Sequence, residues 1–110
     1  MIRIITILLF CLSANAMELS PIQVATIRNA IYWSEGGSKA KYAYGVKSVP
    51  YRNLDEAKRI CDRSIRNNYA RWLTSGRTND FIAFFSRRYC PLDASNWTRN
   101  VKFFCKKAGM

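Results

Sequence analysis

Glu35 is the residue of this sequence that is best placed to act as an acid. It ends an apolar helical stretch and is followed by two glycines, Gly36 and Gly37. At about 100° per residue, Glu35 shares a helix face with Val24 and Ile31, so its side chain should reach the edge of the core. Burial and the negative end of the helix dipole both favour the protonated carboxyl group. Such a group can donate a proton to a leaving oxygen, as an acid catalyst of glycosidic bond cleavage must.

Two other interpretations of Glu35 stay open. The pattern is equally consistent with an ordinary surface carboxylate near a helix end. Arg28 also lies on nearly the same helix face, and an ion pair between Arg28 and Glu35 would favour the charged carboxylate and remove the acid.

Residues 1–16 have the pattern of a cleaved secretory signal. Arg3 supplies a positive charge, residues 4–12 are almost wholly apolar, and Ala14-Asn15-Ala16 has the small-x-small form of a signal peptidase site. The apolar stretch is short for a membrane span, although a short membrane anchor is the alternative. We therefore expect one small domain over residues 17–110, secreted or periplasmic.

The cysteines predict a disulfide in that compartment. Cys11 would leave with the signal, so Cys61, Cys90 and Cys105 remain of the four cysteines. One bridge and one leftover thiol are expected in an oxidising environment. Among the possible pairings we favour Cys61–Cys90, which would tie two helices together. A zinc site is disfavoured because the chain has no histidine and no Cys-x-x-Cys spacing.

The strongly basic composition indicates an anionic partner. The formal net charge of +11 should attract polyanions, although charge that serves solubility alone is the alternative. Nucleic acid is the usual partner of such a chain, but the predicted export argues against it and favours anionic envelope material. The absence of histidine excludes Ser-His-Asp and Cys-His catalysis, and no phosphate-binding glycine loop is present. We expect no cofactor and no metal.

The spacing of apolar residues predicts a mainly α-helical domain with four helices. Ser20, Asn53 and Asp80 are expected to cap the first three, with Asn53 and Glu56 at the spacing of a capping box. The predicted segments are a helix over 21–35, a loop or short irregular hairpin over 38–52, a helix from 54 to about 75, a helix over 81–89, a loop over 92–95, and a final helix that buries Trp97, Val101, Phe104 and Cys105.

Four short motifs follow one another in a suggestive order: Glu35 at a helix end, Gly45-Val46-Lys47-Ser48-Val49, Phe84-Phe85-Ser86-Arg87-Arg88-Tyr89, and Asn96-Trp97. This order resembles the lysozyme-like superfamily, and within it the single-glutamate lytic transglycosylases, including small phage and bacterial proteins. The chain departs from their pattern at Gly36, where many of them carry serine, and at Ser48, where they carry glutamine.

The resemblance implies a small lysozyme-like helical domain that cleaves the β-1,4 bond of peptidoglycan as a lysozyme or a transglycosylase. Glu35 would be the acid and base, and Ser48 and Tyr89 would orient Glu35 or the sugar's N-acetyl group. Tyr44 and Trp97 would stack on sugar rings, with plain core packing as the alternative role. Arg87 would meet muramic acid carboxylates, with a solvated surface charge as the alternative.

The expected partner is therefore the glycan strand of peptidoglycan. We expect a monomer with at most peripheral membrane contact and no bound nucleic acid. A competing hypothesis needs no catalysis: a secreted cationic protein that binds cell wall or anionic membrane through its basic and aromatic residues.

Overall fold

The computed structural model describes residues 18–47, 49–77 and 79–110, and these residues form a mainly helical domain. The helices are α1 (Pro21–Ser34), α2 (Leu54–Thr74), α3 (Phe81–Tyr89) and α4 (Ala94–Lys107). No β-strand occurs in the described ranges, so the predicted mainly α fold class is confirmed. The predicted signal over residues 1–16 lies outside the described residues.

Side-chain caps begin α1 and α2 as the sequence predicted. The Ser20 hydroxyl accepts the Gln23 N–H at 3.1 Å, and the Gln23 side chain accepts the Ser20 N–H at 2.9 Å. Asn53 accepts the Glu56 N–H at 2.9 Å. The Glu56 carboxylate pairs with Arg52 instead of returning to Asn53, so α2 has one half of the predicted capping box.

The connections differ in detail from the prediction. The segment after α1 is a loop with two 3₁₀ turns, Gly37–Lys39 and Ala43–Gly45, and its described residues form no hairpin. A loop was predicted over 92–95. In the structure a 3₁₀ turn at Pro91–Asp93 leads directly into α4, which already begins at Ala94.

Aromatic rings from α3 and α4 form the centre of the core. Phe85 is fully buried, and its ring lies 5.5 Å from Phe81, 5.0 Å from Tyr89 and 5.6 Å from Trp97. α1 packs against α2 and α4, and α3 packs against the same two helices. This packing brings the end of α1 close to the start of α4. Among the described helices, none combines the length and apolar character needed to cross a bilayer.

We expect Phe85→Ala to lower the free energy of unfolding by about 3–5 kcal/mol, because it leaves a cavity among the aromatic rings. Phe103→Ala is the matched control, since Phe103 is 60% exposed. It should cost less than about 1 kcal/mol. Urea denaturation measures both. Equal losses would contradict the placement of Phe85 at the centre of the core.

Asp80 connects α3 to α4 as well as capping α3. It accepts the Ala83 N–H at 2.9 Å and pairs with Lys102 at 2.6 Å. Burial opposes ionisation of Asp80, but the hydrogen bonds from Lys102 and Ala83 outweigh it and lower the pKa of this carboxyl. The lowered pKa means that the ionised carboxylate stabilises the fold above its unfolded pKa, and that this contribution is lost as pH falls through the folded value.

We therefore expect Asp80→Asn, which keeps the capping oxygen, to cost about 0.5–1 kcal/mol near pH 7. Lys102→Gln removes the other partner of this ion pair and should lower the free energy of unfolding by a similar amount. The difference between wild type and Asp80→Asn should shrink as pH falls below about 4. Urea denaturation at neutral and acid pH measures this difference. A difference that is as large at acid pH as at neutral pH would contradict it.

Candidate functional site

Glu35 is the residue at which α1 ends. Its N–H donates to the Ile31 carbonyl at 2.9 Å, and Gly36 then turns the chain with a φ of 109°. The half-buried side chain reaches the start of α4, where the Trp97 indole N–H donates to Oε1 of Glu35 at 2.9 Å. This hydrogen bond joins residues that are 62 positions apart in the chain. It holds one carboxyl oxygen and leaves Oε2 for another contact.

Gly45 presses against the same carboxyl group. A Cβ built on Gly45 would lie 2.7 Å from Cδ of Glu35 and 2.9 Å from both of its oxygens. Gly45 also has a φ of 68°, in the left-handed region that side chains disfavour. Both the space and the backbone conformation therefore require glycine at this position.

Tyr89 holds the turn that carries Gly45. Its hydroxyl donates to the carbonyl of Tyr44, which has a left-handed φ of 57°. Burial raises the pKa of the Tyr89 hydroxyl, and the nearby Cys61 and Glu35 raise it further. Tyr89 therefore keeps its proton and remains a donor at any physiological pH. α3 thus controls how the 3₁₀ turn approaches Glu35.

The Glu35 carboxyl group borders a cavity of about 490 Å³. Among the described residues that line it, Glu35 is the one acid. Three bases face it, and they are Lys47, Arg71 and Arg88. The remaining lining is polar or apolar: Gly45, Val46, Ile60, Ser64, Asn68, Tyr89, Cys90, Pro91 and Leu92.

Arg28 does not neutralise Glu35. Its Nη1 lies 2.9 Å and 3.1 Å from the two carboxylate oxygens of Asp62, which ties α1 to α2. The side chains of this pair are only 14% and 26% exposed. The alternative in which Arg28 folds over Glu35 is therefore not the one that the structure adopts.

A second cavity of about 480 Å³ lies between α1 and α4. Its lining is mostly apolar, with Trp33 and Phe104 as its aromatic residues and Lys107 as its charged one. No acid lines it within the described part of the chain. The Glu35 cavity is therefore the candidate for chemistry.

Of the predicted site residues, two line the cavity and two are buried in the core. Glu35 and Tyr89 line the cavity. Tyr44 and Trp97 are 6% and 4% exposed, so they pack in the core and do not offer a ring face to a sugar. Trp97 acts on the site through its N–H. Packing in the core was the alternative role that the sequence analysis kept open for both residues.

Arg87 is exposed and does not line the cavity, whereas its neighbour Arg88 does. One step along a helix turns a side chain by about 100°, which is enough to separate the two arginines. Ser48, predicted to orient the substrate, lies outside the described residues.

The predicted Cys61–Cys90 bridge is not formed in the structure, where Cys61, Cys90 and Cys105 are free thiols. Burial raises the pKa of the Cys61 thiol to about 12. The pKa of the Cys90 thiol at the cavity is also raised, mainly by burial and to a lesser extent by the nearby Glu35. The unreactive thiol form is favoured at both positions.

The sequence analysis missed four cavity residues on α2. Ile60, Ser64, Asn68 and Arg71 recur every three or four positions and so share one helix face. This spacing was a usable signal, but it does not reveal that the face lines the same cavity as Glu35. No three Cys, Asp or Glu side chains of the described residues come together as metal ligands would.

Comparisons of this chain with models of protein families, with curated proteins and with solved structures found no match.

Gly45→Ala should displace the Glu35 carboxyl group. Gly76→Ala is the matched control, because Gly76 has a φ of 87° but no described atom within 4 Å of an added Cβ. Both variants should lose about 1–2 kcal/mol of unfolding free energy to the left-handed backbone. Gly45→Ala should lose roughly 1–3 kcal/mol more, owing to the steric clash.

Urea denaturation measures these losses, and the NMR signal of the Trp97 indole N–H reports the hydrogen bond to Glu35. That signal should shift in Gly45→Ala and stay in place in Gly76→Ala. The close approach of Gly45 to Glu35 is refuted if the two variants behave alike in both measurements.

Proposed function

We propose that this protein cleaves the β-1,4 glycosidic bond between N-acetylmuramic acid and N-acetylglucosamine in peptidoglycan, with Glu35 as its single acid and base. The observation that carries the proposal is the position of Glu35. Its carboxyl group borders the cavity, one of its oxygens accepts the Trp97 N–H, and no other acid of the described residues lines that cavity.

Trp97 decides which oxygen of Glu35 can carry the proton. An indole N–H is a donor only, so Oε1 must accept from it. In the protonated acid, Oε1 is then the carbonyl oxygen and the proton lies on Oε2. This arrangement orients the proton for transfer to a substrate oxygen, since the other end of the carboxyl group is fixed.

A single acid favours a reaction assisted by the substrate. Two-carboxylate glycosidases hold their second acid within about 5–10 Å of the first. None of the other acids in the described chain lines the cavity, and Asp62, Glu56 and Asp80 each pair with a base elsewhere. The N-acetyl group of the substrate would therefore stabilise the cationic centre, as the resemblance to lytic transglycosylases implies.

The proposed reaction has two steps. Glu35 first donates its proton to the glycosidic oxygen, the bond from C1 to that oxygen breaks, and the N-acetyl oxygen bonds to C1. Glu35, now ionised, then removes a proton from the 6-hydroxyl group, which attacks C1 and releases the N-acetyl oxygen. The product is a 1,6-anhydro sugar, and Glu35 regains its proton. Attack by water in the second step would give the hydrolytic product of a lysozyme instead.

The remaining parts of the site have supporting roles in this proposal. Tyr89 keeps the Gly45 turn against Glu35 through its bond to the Tyr44 carbonyl. Ser48 retains the orienting role that the resemblance implies. The reaction needs no cofactor. Peptidoglycan lies outside the cytoplasmic membrane, so the proposal includes export by the predicted signal over residues 1–16.

Glu35→Gln should abolish cleavage while the fold is retained, because the amide has the shape of the acid but cannot supply its proton. A loss of at least about 100-fold is expected for a general acid. Glu56→Gln is the matched control, since Glu56 lies at the first turn of α2 and does not line the cavity. The measurement is loss of turbidity from purified peptidoglycan, with circular dichroism to verify folding.

Equal clearing by wild type and Glu35→Gln would remove Glu35 from the mechanism. No clearing by folded wild type would favour the competing hypothesis of a non-catalytic cationic protein that binds cell wall or anionic membrane. Mass spectrometry of the released fragments then separates the two reactions, because an anhydro product is one water lighter than a hydrolytic one.

A further inference from the structure

Three bases line the cavity that Glu35 borders, and we call them the cationic wall. Lys47 comes from the loop after α1, Arg71 from α2 and Arg88 from α3, so three separate elements each place one base there. All three side chains are exposed to solvent. A neutral sugar can accept only ordinary hydrogen bonds from such bases, whereas a bound carboxylate gains a stronger, charge-assisted contact.

These bases are also not committed to the acids of the domain. Within the described residues, the cations in ion pairs are Arg28, Arg52 and Lys102, and the cavity bases are not among them. The one acid that shares the cavity, Glu35, is held by Trp97. The cationic wall is therefore available to an anionic group of a ligand.

Asn68 is a buried polar residue of the same cavity lining. It is 4% exposed, and its amide nitrogen donates to the Ser64 carbonyl at 2.8 Å. Its Oδ1 is buried and has no hydrogen-bond partner among the described residues. A buried acceptor without a partner costs free energy. The cavity lining beside the bases is therefore polar as well as cationic.

We infer that the cationic wall of Lys47, Arg71 and Arg88 binds a carboxylate of the substrate, so that the cavity selects an acidic glycan over a neutral one. This inference rests on the proposed function and names the group of the substrate that the site recognises, a carboxylate. In peptidoglycan, the carboxylate belongs either to the peptide stem or, where the stem has been removed, to the lactyl group of the muramic acid.

The test measures binding, which does not require cleavage. Protein in the Glu35→Gln background is sedimented with intact peptidoglycan and with peptidoglycan whose carboxylates have been converted to amides by carbodiimide and ammonia. We expect amidation to weaken binding about tenfold. The Arg71→Gln/Arg88→Gln variant should bind both polymers equally. A protein without any preference for the untreated polymer would overturn the inference.

Arg59→Gln/Arg66→Gln is the matched control. Both residues are exposed on α2 and lie outside the cavity lining, so this variant loses the same charge at another surface. It should keep the preference for untreated peptidoglycan. A loss of preference as large as that of Arg71→Gln/Arg88→Gln would mean that the overall charge binds the polymer, and would overturn a specific site at the cavity. Circular dichroism verifies that both variants fold.

A third polymer separates the two sources of the carboxylate. Glycan strands stripped of their stems by an amidase carry free lactyl carboxylates. If the protein binds these strands and amidation of the strands abolishes the binding, the bound carboxylate belongs to the lactyl group. If the protein binds them only weakly, the carboxylate belongs to the peptide stem. Cleavage by wild type is recorded separately. A carboxylate preference without cleavage would support the cationic wall and reject the enzymatic proposal, so the two can fail independently.

Discussion

The hydrogen bond from Trp97 to Glu35 is the contact on which the site depends. It links the last turn of α1 to the first turn of α4 across 62 positions of the chain. A hydrogen bond within a protein contributes about 0.5–1.5 kcal/mol to stability, and this one also fixes the orientation of the carboxyl group. Neighbouring aromatic rings position Trp97 for this bond, since its ring lies 5.6 Å from Phe85 and 5.4 Å from Tyr89. The packing of the aromatic core therefore also determines the position of the Glu35 carboxyl group.

The distribution of charge distinguishes this cavity from the rest of the surface. Asp62, Glu56 and Asp80 each pair with a base, and Asp80 also caps a helix. Glu35 instead accepts a hydrogen bond from the neutral Trp97. The bases that line the same cavity form no ion pair with Glu35 in the described structure. A site with one acid and a cationic wall suits a polymer that carries both glycosidic oxygens and carboxylates.

Local features of the fold could be predicted from the sequence, whereas long-range contacts could not. The caps at Ser20, Asn53 and Asp80 depend on residues within three positions, so the helix starts follow from composition and spacing alone. The contact between Trp97 and Glu35 depends on how α1 and α4 pack, which no local pattern encodes. For Trp97 the sequence therefore predicted a stacking ring or a core residue, but not its hydrogen bond to Glu35. Arg88 was missed because one position along α3 changes the direction of its side chain.

The most direct test of the central claim is a crystal structure of the Glu35→Gln variant with a tetrasaccharide of alternating N-acetylglucosamine and N-acetylmuramic acid. We predict that the sugar lies in the cavity, with the side chain of residue 35 within about 3 Å of the glycosidic oxygen and the Trp97 N–H still bound to its Oε1. A sugar bound at another surface, or a residue 35 turned away from Trp97 into solvent, would contradict it.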